Sequence, residues 1–331
     1  MTIKFNNVYV GNTSTVAGHL ENNGPLGKYF DKTYDDYYMS PYSLEKSEVV
    51  LQQDALDILL KKINKEKEDI DLLVGGDLQN QIAVTSKLAS TTNIPFLGLY
   101  NACATSMESI IIASNFIDSK KIDNAICITS SHNLTAEKQF RNPIEYGAPK
   151  PLTATFTSTG GACIYLQKEK SDIKVTSATI GKVIDMGCDD VNNVGAIMAP
   201  AASDTIYRHL TNMGEDVNDY DLILTGDLGI YGSKILKDII KKEYNIDLSN
   251  NYNDCGVMLY DMEKEREITA GGSGPVCSCL VNYSYIYDLM KKKEIKKVLL
   301  VTTGALYSPT FAFQKETLPG IAHAVCLEVL K

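Results

Sequence analysis

The chain has 331 residues, 44% of them hydrophobic and 22% charged, and a formal net charge of −9. That size and balance suit a globular protein with a large buried core, and an acidic excess without a basic tract excludes nucleic acid as a main partner. No apolar run approaches the roughly 20 residues that span a bilayer, and the N-terminus lacks the apolar core of a signal peptide, so the expected place is cytoplasmic, or peripheral on a membrane through a partner.

A strand is expected near residues 5–10, followed by a loop rich in Gly, Asn and Tyr. Ser43 opens a helix with Glu45 and Glu48 in its early turns, an apolar face from Val49 to Leu60, and lysines 61, 62, 65 and 67 at its close, as the negative end of a helix favours. Residues 71–78 form a short buried strand that runs through Gly75-Gly76 into a polar loop carrying Asp77 and Asn80, and a helix at about 82–91 follows. An apolar run at 94–100 then ends in Asn101-Ala102-Cys103-Ala104-Thr105-Ser106-Met107, with an apolar helical segment from Ile110 behind it. This spacing predicts strand, tight turn and buried helix, with Cys103 on the first helical turn. There the backbone N–H groups favour a thiolate or hold an anion; the alternative is a small buried apolar residue, as most free cysteines are. A strand at 125–130 ends at His132, and a long loop at 140–156 carries Arg141, Lys150 and three prolines. Helices alternating with apolar strands indicate an α/β protein with a mostly parallel sheet.

The pattern then repeats. Residues 221–228 match residues 71–78 at five of eight positions, a helix at about 277–290 stands where the Cys103 helix stands, and 298–303 mirrors 125–130. A duplicated unit of about 150 residues explains these coincidences, giving halves at 1–169 and 170–331. Strand-end loops of both halves should meet at one central pocket, to which Asp77, Asn80, Cys103 and His132 contribute from the first half and Asp227, Gly271 to Gly274 and Gly304 from the second. The eight cysteines are scattered, several in apolar runs, as reduced buried thiols are, and no spacing suggests a metal site.

A duplicated α/β unit with a cysteine opening the buried helix of its first half resembles the thiolase and ketoacyl-synthase superfamily, and Asn101 to Met107 looks like the thiolase nucleophile turn. The resemblance implies a thiolase-like fold: two pseudo-symmetric βαβαβαββ halves forming a five-layered α-β-α-β-α sandwich. The strings at 24–35, 76–81, 102–109, 129–141, 198–202, 253–256, 270–274 and 321–323 resemble, more narrowly, the stage V sporulation protein AD family of endospore-forming bacteria. That likeness implies binding of dipicolinate (pyridine-2,6-dicarboxylate), alone or as its calcium chelate, during uptake into the developing spore. It further implies synthesis in the forespore, a peripheral place at the spore inner membrane beside integral membrane proteins of the same operon, and a homodimer paired through edge strands near 94–99.

The positions where condensing enzymes carry histidine read Gly226-Asp227-Leu228-Gly229 and Gly271-Gly272-Ser273-Gly274 here, which points away from Claisen chemistry. The alternative is an acyltransferase or condensing enzyme with Cys103 as nucleophile and His132 or His323 as its partner. A planar dianion instead wants helix-start N–H groups, a bidentate arginine or a lysine, and an aromatic or apolar wall. The expected site is Asp77, Asn80, Asn101, Cys103, His132, Arg141, Lys150, Asp227, Gly272, Ser273 and Gly304, with no cofactor and no protein-only metal site. Calcium entering with the ligand would draw on Asp77 or Asp227.

Overall fold

The computed structural model describes residues 1–40, 42–141 and 148–330. Residues 142–147 of the expected long loop, including Pro143, lie outside them. The first long strand is β1 (Tyr9–Ala17), not 5–10. Its middle is polar, so apolar patterning alone misplaces it, yet Thr13, Ser14 and Thr15 are buried with partners: the Thr13 hydroxyl donates to the Tyr283 carbonyl (2.6 Å) and that of Ser14 to the Ala55 carbonyl (2.6 Å).

Helix α1 (Leu44–Ile63) starts where expected: the Ser43 hydroxyl accepts from the Lys46 amide, and Asn64 closes the helix in the left-handed conformation. Strand β2 (Leu73–Gly76), helix α2 (Ala83–Ala89) and strand β3 (Phe96–Gly98) follow, then α3 (Thr105–Asp118), β4 (Asn124–Ser131), a short helix α4 (Asn133–Phe140) and β5 (Gly160–Gln167). The second half runs β6 (Ile173–Thr179), α5 (Val194–Met213), β7 (Leu222–Thr225), α6 (Gly229–Tyr244), β8 (Tyr252–Asp254), the composite helix α7 (275–291), β9 (Lys297–Ala305) and β10 (Gly320–Val329). A π-helical turn at Val281–Ile286 interrupts α7, whereas its counterpart α3 is uninterrupted.

The repeat extends to single hydrogen bonds. The Asp71 carboxylate accepts from the amides of Asp123 and Asn124 (2.7 and 3.2 Å), and that of Asp221 accepts from Lys296 and Lys297 (2.6 and 2.9 Å). Reciprocal capping pairs, Glu66 with Asp69 and Asp216 with Asp219, precede both.

One continuous sheet has the order β8-β7-β9-β10-β6-β1-β5-β4-β2-β3, which reads the same from either end once the halves are equated. Among these ten strands, β3-β2-β4 and β8-β7-β9 are parallel, and β4 with β5, β5 with β1, β9 with β10 and β10 with β6 are antiparallel. The sheet is therefore mixed: antiparallel pairing joins each parallel trio to the middle of the sheet. Strands β1 and β6 join the halves through two residue pairs, Tyr9 with Lys174 and Val10 with Ile173.

Three apolar clusters separate five layers. Leu51, Leu56 and Leu59 of α1 cover one face of the first half-sheet, and Ile206 and Leu210 of α5 with Leu236 and Ile240 of α6 cover the far face of the second. Between the half-sheets, Met107 and Ile110 of α3 meet Val276 and Leu280 of α7. Each of these buried side chains contributes on the order of 2 kcal/mol. The α-β-α-β-α sandwich thus sets the starts of α3 and α7 side by side.

Candidate functional site

The turn before α3 is held by its own backbone. Ala102 adopts φ 48°, a left-handed conformation that costs a non-glycine residue on the order of 1 kcal/mol. Thr105 fixes it: its hydroxyl donates to the Ala102 carbonyl (2.8 Å) and accepts from the Asn101 amide (2.9 Å). Helix α3 begins only at Thr105, so Cys103 lies before the first turn and not on it. The amides of Ala104 and Thr105 donate back to the carbonyls of Asn101 (3.1 Å) and Ala102 (3.3 Å), which spends two of the N–H groups expected to face a ligand. Gly304 on β9 backs the turn; a Cβ there would stand 2.8 Å from the Asn101 carbonyl oxygen.

Cys103 faces Asp227. Burial first, then the Asp227 charge and the thiol's hydrogen bond to that carboxylate, hold the Cys103 pKa well above the usual thiol range, outweighing the Gly274 amide. The site therefore keeps a thiol, where the helix-start reasoning favours a thiolate. Asp227 accepts from the Thr303 hydroxyl (2.7 Å) and the Gly274 amide (3.1 Å). Burial nevertheless pushes its carboxyl up to about 7.

The two candidate histidines are elsewhere. His132 precedes α4 and donates from Nε2 to the Tyr37 carbonyl (2.9 Å), with Nδ1 buried and unpartnered. His323 accepts at Nδ1 from the Gly181 amide (3.0 Å), which puts its proton on Nε2; the Asn101 side chain stands 2.8 Å from Nε2 and accepts that proton with its amide turned so that the oxygen faces the ring. Burial, helped by Arg208, lowers its pKa to about 4, so it is neutral. It orders the Cys103 turn through Asn101 and does not reach the cavity lining. Asp77 is also diverted inward: it accepts from the Gln79 amide (2.8 Å) and from the Thr85 amide and hydroxyl (2.8 and 2.7 Å), capping α2. Asn80 is exposed, and its amide donates to Gln139 (3.2 Å).

A cavity of about 150 Å³ does gather Cys103, Arg141, Lys150, Asp227 and Ser273. Asp77, Asn80, Asn101, His132, His323, Gly272 and Gly304 are outside its lining, although the neighbours Leu78, Ala102, Ser273 and Ala305 belong to it. Arg141 ends α4 and pairs with Glu137 one turn back (2.8 Å), while its second nitrogen donates to the Ala148 carbonyl (2.9 Å). Lys150 binds the other Glu137 oxygen. Tyr100, Phe140 and Tyr307 supply an aromatic wall, with the Phe140 and Tyr307 rings 5.4 Å apart.

The reasoning from sequence missed Glu137 and these three aromatics. The four-residue spacing from Glu137 to Arg141 was available as a helical ion-pair signal; nothing local marks Tyr307, which reaches the cavity only through the folding of the second half. Among the described residues, no cluster of three or more His, Cys, Asp or Glu side chains is arranged to hold a metal ion, and no helix is long and apolar enough to cross a membrane.

The chain resembles solved structures over nearly its whole length. It is similar to 3-oxoacyl-[acyl-carrier-protein] synthase III from Aquifex aeolicus VF5 (TM-score 0.56, 13% identity, covering 97% of this chain and 99% of that one). It is also similar to a variant of OleA from Xanthomonas campestris (TM-score 0.61, 14% identity, 98% and 99% covered). At such identity the likeness shows a shared thiolase-like fold and nothing about chemistry. In sequence, it is 46% identical over 321 residues to stage V sporulation protein AD of Bacillus subtilis (strain 168), covering 97% of this chain and 94% of that protein. The profile of the stage V sporulation protein AD family matches residues 1–328, and the chain belongs to that family.

Proposed function

We propose that the cavity binds dipicolinate, free or as its calcium chelate, as a non-catalytic step in loading the developing spore. The observation that carries this reading is the pairing of two cations, Arg141 and Lys150, with an aromatic wall in a cavity of about 150 Å³. A rigid ring with two carboxylates matches such a site, and the volume lies below the roughly 300 Å³ and upward of drug-sized pockets, which suits a single ring better than a long acyl chain.

The condensing-enzyme reading loses its base. No imidazole is among the described residues that line the cavity, and the thiol faces a carboxylate that opposes its ionisation. Leu97 on the edge strand β3 and the adjoining Tyr100 are exposed, which supports a homodimer paired through that edge. Peripheral attachment at the spore inner membrane through integral membrane proteins of the same operon belongs to the same proposal.

Calorimetric titration with dipicolinate, with and without calcium, tests it. Saturable binding by the native chain, unchanged in heat profile by Cys103→Ala and weakened at least tenfold by Arg141→Ala, is the expected result, since a lost charge-assisted contact costs roughly 1.5–3 kcal/mol. Acylation of Cys103 by acyl-CoA thioesters, followed by intact mass, would replace this reading with the enzymatic one.

A further inference from the structure

Among the described residues, Glu137 is the carboxylate seated between Arg141 and Lys150 in the cavity. One of its oxygens meets Arg141 at 2.8 Å and the other meets Lys150, and the Glu137 and Arg141 side chains are only 16% and 14% exposed. Both oxygens of the carboxylate are therefore committed. A dicarboxylate entering beside an undisturbed Glu137 would bring two more carboxylates to two cations already in contact with one. Glu137 stands on α4, whose last turn faces the cavity through Phe140 and Arg141, so rotation about its own side-chain bonds releases either contact without moving the backbone.

We infer that Glu137 is a resident competitor for the anion subsite made by Arg141 and Lys150, and that a dianion binds by taking over at least one of these cations from it. The inference rests on the dicarboxylate reading above. Exchange of one sheltered carboxylate for another conserves the number of charge-assisted hydrogen bonds, so the chain neither leaves two cations unneutralised when empty nor retains its ligand irreversibly when full. It also sets a threshold: a weakly charged or singly bonding anion gains too little to displace Glu137. The rival role is purely positional, with Glu137 holding Arg141 and Lys150 where the ligand needs them and staying in place as it binds.

Glu137→Gln separates the two roles, since it keeps shape and a hydrogen-bonding group while removing the charge. Dipicolinate binding by calorimetry should tighten about tenfold, the size of one lost competing ionic contact, and its weakening by added salt should steepen. Equal or weaker binding by Glu137→Gln would assign the positional role and overturn the competitor. A second arm does not depend on dipicolinate. Inorganic sulfate should raise the melting temperature of Glu137→Gln clearly more than that of the native chain, and the gain should vanish in Glu137→Gln/Arg141→Ala. Equal sulfate stabilisation of the native and Glu137→Gln chains overturns the inference. Absence of dipicolinate binding with a retained sulfate difference would instead remove the dipicolinate reading and leave the competitor standing. Glu137→Ala, which cannot hold either cation, repeats both arms should the glutamine side chain be seated differently.

Discussion

Replacing Asp227 by asparagine should make Cys103 more reactive, and only above neutral pH. The asparagine side chain keeps an oxygen for the Thr303 hydroxyl or the Gly274 amide but cannot carry a charge. In the native chain the Asp227 carboxyl titrates at about 7, so below that pH the neighbouring thiol meets a neutral acid and above it a carboxylate. Two unit charges in contact at about 4 Å with an effective dielectric of about 20 repel by about 4 kcal/mol. The Thr303 and Gly274 donors stay on the carboxylate and reduce this, and roughly half surviving corresponds to about a thirtyfold smaller thiolate fraction. The assay is alkylation by iodoacetamide followed by intact mass in a Cys188→Ser background, because Cys188 is the other cysteine that keeps partial exposure to solvent. The ratio of rates, Asp227→Asn over native, should be near one at about pH 6 and climb through neutrality to roughly ten or more by about pH 9. A ratio that stays flat across this range would show that burial alone sets the thiol and that Asp227 does not govern it.

Two further outcomes follow from buried groups. Glu21 is fully buried, accepting from the Thr159 amide (3.0 Å) and the Tyr260 hydroxyl, and burial raises its pKa from 4.5 to about 7. A raised folded-state pKa means the fold holds the proton more tightly than the unfolded chain. Its contribution is thus intact below pH 4.5 and is lost as pH rises through 7, by about 3 kcal/mol. Urea unfolding at about pH 5 and about pH 8.5 should show a smaller fall for Glu21→Gln than for the native chain, and equal falls would contradict the assignment. Gly304→Ala places a methyl group 2.8 Å from the Asn101 carbonyl oxygen, so it should lower stability by about 1–3 kcal/mol and alter the Cys103 alkylation rate. Unchanged stability and rate would show that β9 does not buttress the turn.

The duplication was legible because it is written in matching residues: Asp71 and Asp221, Asp77 and Asp227 fall at the same steps of the repeat, and the first two make the same bonds. Helix α1 was legible for the same kind of reason, since Ser43, its apolar face and its closing lysines are local signals. Strand β1 was not, because Thr13, Ser14 and Thr15 find buried partners on distant elements. The site was only half legible for a related reason. Cys103, Asp227, Arg141, Lys150 and Ser273 line the cavity as the loops suggested, yet Asp77 and His132 sit at strand ends with their side chains turned elsewhere, Asp77 to the Gln79 and Thr85 amides and His132 to the distant Tyr37 carbonyl. Position on a strand end fixes where a residue begins, and competition among nearby donors and acceptors fixes where its side chain goes.

The middle layer of the sandwich is contributed by both α3 and α7, whose apolar side chains share one buried cluster between the half-sheets. A twofold pair of identical chains packed in this way would be bound by symmetry to carry the same turn at the start of both central helices. In one continuous chain the two turns are free to differ. Here one carries a thiol and the other glycines, and Asp227 looks across at the turn of the opposite half. The cavity can therefore present unlike chemistry on its two sides, which a symmetric pair of identical chains could not do.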